Sequence, residues 1–513
     1  MKTTATTVIE RVPLFGRMFS VDVSTGLEEI NTWPALFIMA SFVWLAAAGL
    51  MGLLMPATQI VEPGNSIFYM FLTAHGAAMA LPFAFQLMAG ISLHRAGGCL
   101  GRPVTGILPK LTFWCMNGGA LVLTLAILDG LKISIVTMWP LPLVGANLGE
   151  WSNTAVVLGF TGIALVLIAA IVLYPINLLW LVFAGEKRQE LLLAERSLKD
   201  PGMLGMTMAS LVLLISGTPL LIVAVPVLLA LYGILPIAAV TSVIRPVVFQ
   251  YAFYIWAHNL MEAMALMAAS AVYATLPLYL ADGSRKLFSD RLANLGLWVI
   301  LGTSITSFFH HFFTFIPNQP AILDYWGNIM SWGTGVGAAI SIFTVLGTIW
   351  EHGLLAEPGV LIVLTGFALY ILDGISAIMV SNVAWNYHLH GTMWVSGHSM
   401  TAILSIAVMW LGVLYHHYPV ITGREIERNL GYWFVDLFVI GGFGTTLVML
   451  AGGAAGMPRR FAAWSQGGWM PYGILLLIFG IILGLAFVLY AYGLMKSREA
   501  EPVRRGVFVP AVS

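Results

Sequence analysis

The chain has 513 residues, of which 59% are hydrophobic and 9% are charged. Soluble domains contain about 25% charged residues, so this composition excludes an ordinary soluble protein, and its hydrophobicity excludes a disordered one. The 23 basic and 23 acidic residues balance, so no overall field attracts nucleic acid, and two cysteines are too few for a disulfide framework. We predict an all-α, polytopic protein whose main surroundings are a lipid bilayer.

Twelve continuous apolar runs are each long enough to cross a bilayer, which takes about 20 helical residues. Because hydrophobicity does not alternate along the runs, they predict helices rather than barrel strands. The predicted spans are residues 34–56, 66–92, 107–130, 153–183, 203–233, 246–279, 292–316, 324–350, 359–382, 389–415, 431–452 and 470–495. They form one twelve-helix domain at 34–495, between an N-terminal segment at 1–33 and a C-terminal tail at 496–513, and no cleavable signal is evident.

The basic residues predict the orientation of these spans. If the N-terminus is cytoplasmic, only four of the 23 basic residues, Lys132, Arg245, Arg459 and Arg460, lie on the outer side. The positive-inside rule therefore places both termini in the cytoplasm, and the chain in the inner (cytoplasmic) membrane.

Five of the eleven histidines share one depth in these spans. At about 1.5 Å per residue, they fall in one layer of the outer half of the bilayer. These are His75, His258, His310, His311 and His398. Ionisable groups inside a membrane are costly and usually functional, and imidazole binds iron, copper and zinc, so the layer predicts a metal site. Four others, His94, His352, His416 and His417, lie at cytoplasmic helix ends, where we expect a solvated interface.

Two of the acidic residues within the spans are candidates for the site. Glu262 follows His258 by four residues, so both share one helix face, and we expect Glu262 to point toward whatever His258 binds, as a metal ligand or a proton carrier. Asp373, midway along the ninth span, is a weaker candidate that we expect to pair with the backbone or a serine.

Several motifs, in order, resemble the catalytic subunit I of the haem-copper oxidase superfamily. Thr73-Ala74-His75-Gly76 is similar to the family's Thr-x-His-Gly, and His310-His311 is similar to its paired histidines. Gly456-Met457-Pro458-Arg459-Arg460 equals the family's Gly-Met-Pro-Arg-Arg. Each motif alone is weak, but together with twelve spans they make the resemblance specific.

The resemblance implies two haems and a non-haem metal. His398 would be the axial ligand of a high-spin haem, and His258, His310 and His311 would hold the metal facing it. His75 would be an axial ligand of a low-spin haem. The haem propionates would contact Arg459, Arg460 and His390.

Three departures from the oxidase pattern change the expected chemistry. Glu262 stands where oxygen-reducing members have tyrosine, an arrangement that resembles nitric oxide reductases, in which the glutamate completes a non-haem iron site. Gly337 stands at the lysine that marks a proton channel in many oxidases. The family's His-x-His becomes His398-Ser399-Met400, so we expect Met400 to be the second ligand of the low-spin haem, as methionine is in some cytochromes. The alternative is that His388 and His390 form the His-x-His pair, but His388 would lie about 15 Å above His398.

We therefore predict a membrane nitric oxide reductase that converts two NO, two electrons and two protons to N₂O and water at a haem and non-haem iron centre. The alternative is an atypical terminal oxidase that reduces O₂, with copper at the metal site and Tyr254 as the donor. A transporter or haem-handling protein without redox turnover is a third hypothesis. The chain has no copper-binding soluble domain and no covalent haem motif, so we expect a cupredoxin-like subunit or a cytochrome c as electron donor, or direct oxidation of quinol.

Overall fold

The protein is a bundle of long helices, seen in a computed structural model that describes residues 18–22, 26–132, 151–184, 194–243, 245–314, 316, 319–463 and 468–500. Twelve helices in this part of the chain are long and apolar enough to span a membrane, as predicted. In chain order they are α1 Glu28–Val61, α2 Ile67–Leu100, α3 Ile107–Leu128, α4 Asn153–Phe183, α5 Pro201–Leu231, α6 Val247–Tyr279, α7 Asp290–Phe312, α8 Ala321–His352, α9 Pro358–Val380, α10 Met393–Thr422, α11 Arg428–Ala454 and α12 Met470–Met495. The chain is therefore an all-α, multi-pass membrane protein.

Local sequence determines where several of these helices begin. The first backbone N–H groups of a helix have no partner within the helix, and a side-chain oxygen just before it can accept from them. Ser152, Asp200, Ser289 and Thr392 do so at α4, α5, α7 and α10. At the other end of α10, Gly423 adopts a left-handed conformation with φ 68°, which stops the helix with little strain.

Neighbouring helices pack as antiparallel pairs through glycines. A Cβ atom on Gly366 of α9 would lie 2.7 Å from the backbone nitrogen of Met409 in α10. Likewise, a Cβ on Gly412 of α10 would lie 2.6 Å from the carbonyl oxygen of Gly359. Such separations let the two backbones touch, so α9 and α10 keep a fixed register.

Two spanning helices contain a wider π-helical segment. One runs over Met79–Phe85 in α2 and includes Pro82, and the other runs over Ala169–Leu173 in α4, just before Pro175. Proline cannot donate its backbone nitrogen to the helical ladder, and a π-turn accommodates the lost bond without ending the helix.

Two short strands join the segment that follows α10 to the segment that follows α12. β1 is Arg424–Glu425, directly after α10, and β2 is Arg498–Glu499, directly after α12. They pair antiparallel, with Arg424 opposite Glu499 and Glu425 opposite Arg498. The opposite charges across the pair favour this register.

The predicted boundaries needed correction at some helices. α1 begins at Glu28, six residues before the predicted span, because Asn31 and Thr32 are buried and hydrogen-bonded, Asn31 to the carbonyl of Val420. Much of the predicted segment 1–33 and most of the tail 496–513 lie outside the described residues.

The expectation of solvated histidines at the cytoplasmic helix ends was wrong for His94 and His417. Both are buried, and their Nδ1 atoms lie 2.8 Å apart, so one ring donates a hydrogen bond to the other. His352 instead contacts the exposed Asp282 at 2.8 Å. The buried pair forms because α2 and α10 pack against each other at this level, and the position of a histidine at a helix end carries no information about such packing.

We predict that Gly366→Ala destabilises the fold by about 1–3 kcal/mol, because backbone atoms of α10 leave no room for a methyl group. The measurement is the Tm of the purified protein in detergent. Gly118→Ala in α3 is the matched control, since a Cβ there meets nothing within 4 Å. Equal Tm values for the two variants would contradict this account of the interface.

Candidate active site

One large cavity lies inside the bundle, with a volume of about 570 Å³. Residues from nine spanning helices and two loops line it. All ten residues predicted to form the site line this cavity, and they are His75, His258, Glu262, His310, His311, His390, His398, Met400, Arg459 and Arg460. Of the alternative pair, His390 lines the cavity, whereas the exposed His388 is not among the described lining residues.

Three histidines form a compact group in this cavity. One possible ligand atom from each of His258, His310 and His311 lies within 4.8 Å of the others. The ring centroids of His258 and His310 are 5.0 Å apart, and those of His310 and His311 are 4.3 Å apart. Three converging imidazoles suit a transition-metal ion such as copper or iron.

The local fold of α7 and α8 explains how adjacent histidines reach one point. α7 ends in the tight 3-10 turn Phe308–Phe312, which contains both His310 and His311. Gly327 of α8 packs against this turn, and a Cβ on it would lie 2.7 Å from the backbone nitrogen of His310. The absence of a side chain at Gly327 therefore lets the turn approach α8.

Two serines orient the rings of the group. Ser331 donates its hydroxyl hydrogen to the carbonyl of Gly327, so its oxygen must accept from Nδ1 of His310 at 2.9 Å. Ser307 likewise donates to the carbonyl of Ser304 and accepts from Nε2 of His258 at 2.6 Å. A ring that donates through one nitrogen keeps a lone pair on the other. Nε2 of His310 and Nδ1 of His258 are thus free to bind a metal.

Glu262 lies beside this group but is not part of it. Its Oε1 atom is 3.7 Å from Nε2 of His258, the nitrogen that donates to Ser307 rather than the one left for a metal. Among the described residues, the group of ligand atoms within 4.8 Å of one another contains no carboxylate. The expectation that Glu262 and His258 share a helix face is therefore met, whereas Glu262 does not join the ligand group in this structure.

A tyrosine packs on the same group. The ring of Tyr254 stacks on His311, with centroids 4.6 Å apart and planes 26° apart. Tyr254 lies one turn before His258 on α6 and is almost fully buried. A phenol in contact with a metal-binding ring can supply a proton and an electron, which is the role of Tyr254 in the oxidase alternative.

Two further cavity histidines, His75 and His398, are oriented in the same way. Nδ1 of His75 donates to the carbonyl of Ala48 in α1 at 2.8 Å, which leaves Nε2 as a ligand atom. Gly52 makes room for this ring, since a Cβ there would lie 2.8 Å from it. Nδ1 of His398 donates to Oδ1 of Asp373 at 2.8 Å, which again leaves Nε2.

The partner of Asp373 corrects a sequence-based expectation. We expected the backbone or a serine, yet the carboxylate accepts from His398, while Ser376 donates to the backbone carbonyl of Asp373 instead. The two residues are 25 positions apart on different helices, so the sequence pattern carried no signal for this pair.

Two arginines and a histidine form one wall of the cavity, and the arginines carry its positive charge. Backbone bonds join the loops that carry them, Met393 N–H to Met457 O at 2.7 Å and Arg459 N–H to Gly391 O at 3.3 Å. Burial lowers the pKa of Arg460 to about 10, with a smaller contribution from the charge of Arg459. Burial also lowers the pKa of His390 to about 4, with smaller contributions from the charges of both arginines. No described acidic side chain forms an ion pair with either arginine. Haem propionates suit this excess of positive charge.

We predict that Ser331→Ala weakens binding of the non-haem metal about 10-fold, because His310 loses the acceptor that orients its ring. The measurement is the metal-to-protein ratio after titration with a chelator. Ser341→Ala is the matched control, since this serine of α8 also bonds to a carbonyl four residues before it but contacts no cavity histidine. Equal metal retention in the two variants would show that Ser331 does not orient a ligand.

Comparisons with known proteins agree with this fold. Residues 33–482 match the family "Cytochrome C and Quinol oxidase polypeptide I". The chain is 24% identical to a probable cytochrome c oxidase subunit 1-alpha of Streptomyces avermitilis, over 92% of this chain and 81% of the relative. It is 22% identical to quinol oxidase subunit 1 of Bacillus spizizenii, over 90% of this chain and 71% of the relative.

A solved structure has the same fold. A haem-copper terminal oxidase dimer, determined by cryo-electron microscopy, superposes with a TM-score of 0.75 at 19% identity, over 91% of this chain and 83% of that chain. The family implies haems and a metal centre, and the histidines and arginines of the cavity fit both. With the match covering most of its length, the chain belongs to the haem-copper oxidase subunit I family of oxidoreductases.

Proposed function

We propose that the chain is the catalytic subunit of a terminal oxidase, which reduces O₂ with four electrons and four protons to two molecules of water. The observation that carries this proposal is the ligand group of three imidazoles without a carboxylate, in one cavity with His398 and His75. The names of the relatives, cytochrome c oxidase and quinol oxidase subunit 1, support it.

In this proposal the cavity residues divide into three sets. His398 binds a high-spin haem, and His75 and Met400 bind a low-spin haem. His258, His310 and His311 bind copper or iron, and the propionates contact Arg459, Arg460 and His390. When bound, the haems and the metal supply electron storage and the binding place for O₂.

The remaining polar side chains of the cavity handle protons. Glu262 lies against the edge of His258 inside an apolar bundle, where a carboxyl group can take up a proton and release it toward the metal group. Tyr254, stacked on His311, replaces the tyrosine that oxygen-reducing members carry at the position of Glu262. The four electrons come from cytochrome c, a cupredoxin-like subunit or quinol, in a bacterial cytoplasmic membrane with both termini on the inner side.

Reduction of NO is the second candidate, and Glu262 is the observation that favours it. That reaction takes two electrons and two protons for two NO, and so needs no tyrosine donor. A carboxylate would then turn toward the three imidazoles and complete an iron site, which is harder and richer in oxygen ligands than a copper site. Oε1 of Glu262 is already 3.7 Å from Nε2 of His258, so this carboxylate is close to the group that it would have to join.

We predict that the purified protein consumes O₂ rapidly and NO slowly, and that Glu262→Gln lowers O₂ turnover about 10²–10⁴-fold while the metal stays bound, because a proton carrier is lost. The measurements are O₂ and NO electrode traces together with elemental analysis. Glu351→Gln, at the exposed end of α8, is the control. Fast NO turnover without O₂ turnover, with iron lost in Glu262→Gln, would establish the second candidate instead.

We predict that Met400→Leu removes the optical bands of the low-spin haem in the reduced protein, because leucine offers no ligand atom. Met449→Leu is the matched control, since Met449 lines the same cavity without an assigned role. If the spectra of the two variants matched that of the unmodified protein, another residue would be the ligand.

A further inference from the structure

His75 and His398 both keep Nε2 as a ligand atom, but they differ in the group that accepts a hydrogen bond from Nδ1. His75 donates to a neutral backbone carbonyl, that of Ala48, at 2.8 Å. His398 donates at the same distance to a carboxylate, that of Asp373. Hydrogen bonds to an ionised acceptor are roughly twice as strong as neutral ones. The two rings therefore have the same tautomer but different electron density.

The surroundings of Asp373 fix this contact. Its side chain is 9% exposed, and the structure gives it no ion pair with a lysine or arginine among the described residues. Ser376, one turn later on α9, approaches Nδ1 of His398 at 3.3 Å but has already donated its hydrogen to the carbonyl of Asp373. Ser376 is thus a weaker second acceptor, and the carboxylate is the main one.

The helix interface holds the pair in place. Trp394 of α10 donates from its indole nitrogen to the carbonyl of Ser376 in α9 at 3.1 Å. Further along, Gly366 allows the backbones of the same two helices to touch. With contacts on both sides, α9 cannot slide against α10 without separating Asp373 from His398.

We propose that Asp373 is a positioning residue that makes His398 an electron-rich axial ligand. This inference rests on the proposed function, in which Nε2 of His398 binds the high-spin haem. A carboxylate that accepts from the far nitrogen raises the basicity of a ligating imidazole and fixes its orientation. An electron-rich axial ligand favours cleavage of the O–O bond in haem enzymes.

The pair of Asp373 and His398 is relevant to the replacement of the family's tyrosine by Glu262. In oxygen-reducing members the tyrosine at that position assists O–O cleavage from the metal side of the haem. Here that residue is a glutamate, Tyr254 takes the place of the tyrosine beside the metal group, and the hydrogen bond from His398 to Asp373 would add a second source of assistance. The proposed low-spin haem takes no part in O–O cleavage, and its histidine, His75, donates only to a neutral backbone carbonyl.

The test is resonance Raman spectroscopy of the reduced protein, which reads the stretching frequency of the iron–histidine bond directly. Asp373→Asn keeps the size of the side chain but removes its charge, so we expect a lower frequency, a higher midpoint potential of the high-spin haem and about 10-fold slower turnover. Asp373→Glu restores the carboxylate and should recover part of the frequency. Ser376→Ala removes only the weaker acceptor and should change little.

The outcomes distinguish a wrong role for Asp373 from a wrong haem assignment for His398. An unchanged iron–histidine frequency and potential in Asp373→Asn, with both haems bound, would overturn the role of Asp373 alone. If His398→Ala retained the high-spin haem with its iron–histidine band, His398 would not be the ligand, and the proposed haem assignment itself would fail.

Discussion

The site depends on the fixed tautomers of buried imidazoles. Each of four cavity histidines has one nitrogen engaged with the protein: His75 with Ala48, His258 with Ser307, His310 with Ser331 and His398 with Asp373. A membrane-spanning bundle has little water to satisfy a free N–H group, so each donor must find a protein acceptor. Once it does, the opposite nitrogen is left with a lone pair toward the cavity. The need to satisfy one end of the ring thus prepares the other end for a metal.

The bundle supplies these acceptors from neighbouring helices at close range. Small residues allow it, with Gly52 beside His75 and Gly327 beside the turn that contains His310. A side chain at either glycine would occupy the space of the ring or of the turn. The close approach of neighbouring helices therefore has two effects in this protein: it stabilises the bundle, and it brings hydrogen-bond acceptors to the histidines that would bind the metals.

The sequence was sufficient for the number of spans, because long apolar runs are a property of each helix alone, and the shared depth of five histidines pointed to the cavity. Of the other cavity residues, His390, Met400, Arg459 and Arg460 were found through the family resemblance. The sequence failed where the outcome depends on the register between helices. Asp373 meets His398, and His94 meets His417, only because two particular helices pack at one offset. The same holds for Glu262 within one helix. Its spacing of four residues from His258 predicted the shared helix face, but it did not predict which edge of the His258 ring the carboxylate contacts.

The π-helical segment in α2 separates that helix into two halves that follow different registers. One residue advances an α-helix by about 100°, so the extra residue at Met79–Phe85 turns the later half relative to the earlier one. His75 lies before the segment, and Gln86 and His94 lie after it. The later half of the helix can thus evolve its own contacts with α10 while the earlier half keeps a ring aimed at the cavity. A relative that lacked this extra residue would align well on one half and present the wrong face on the other.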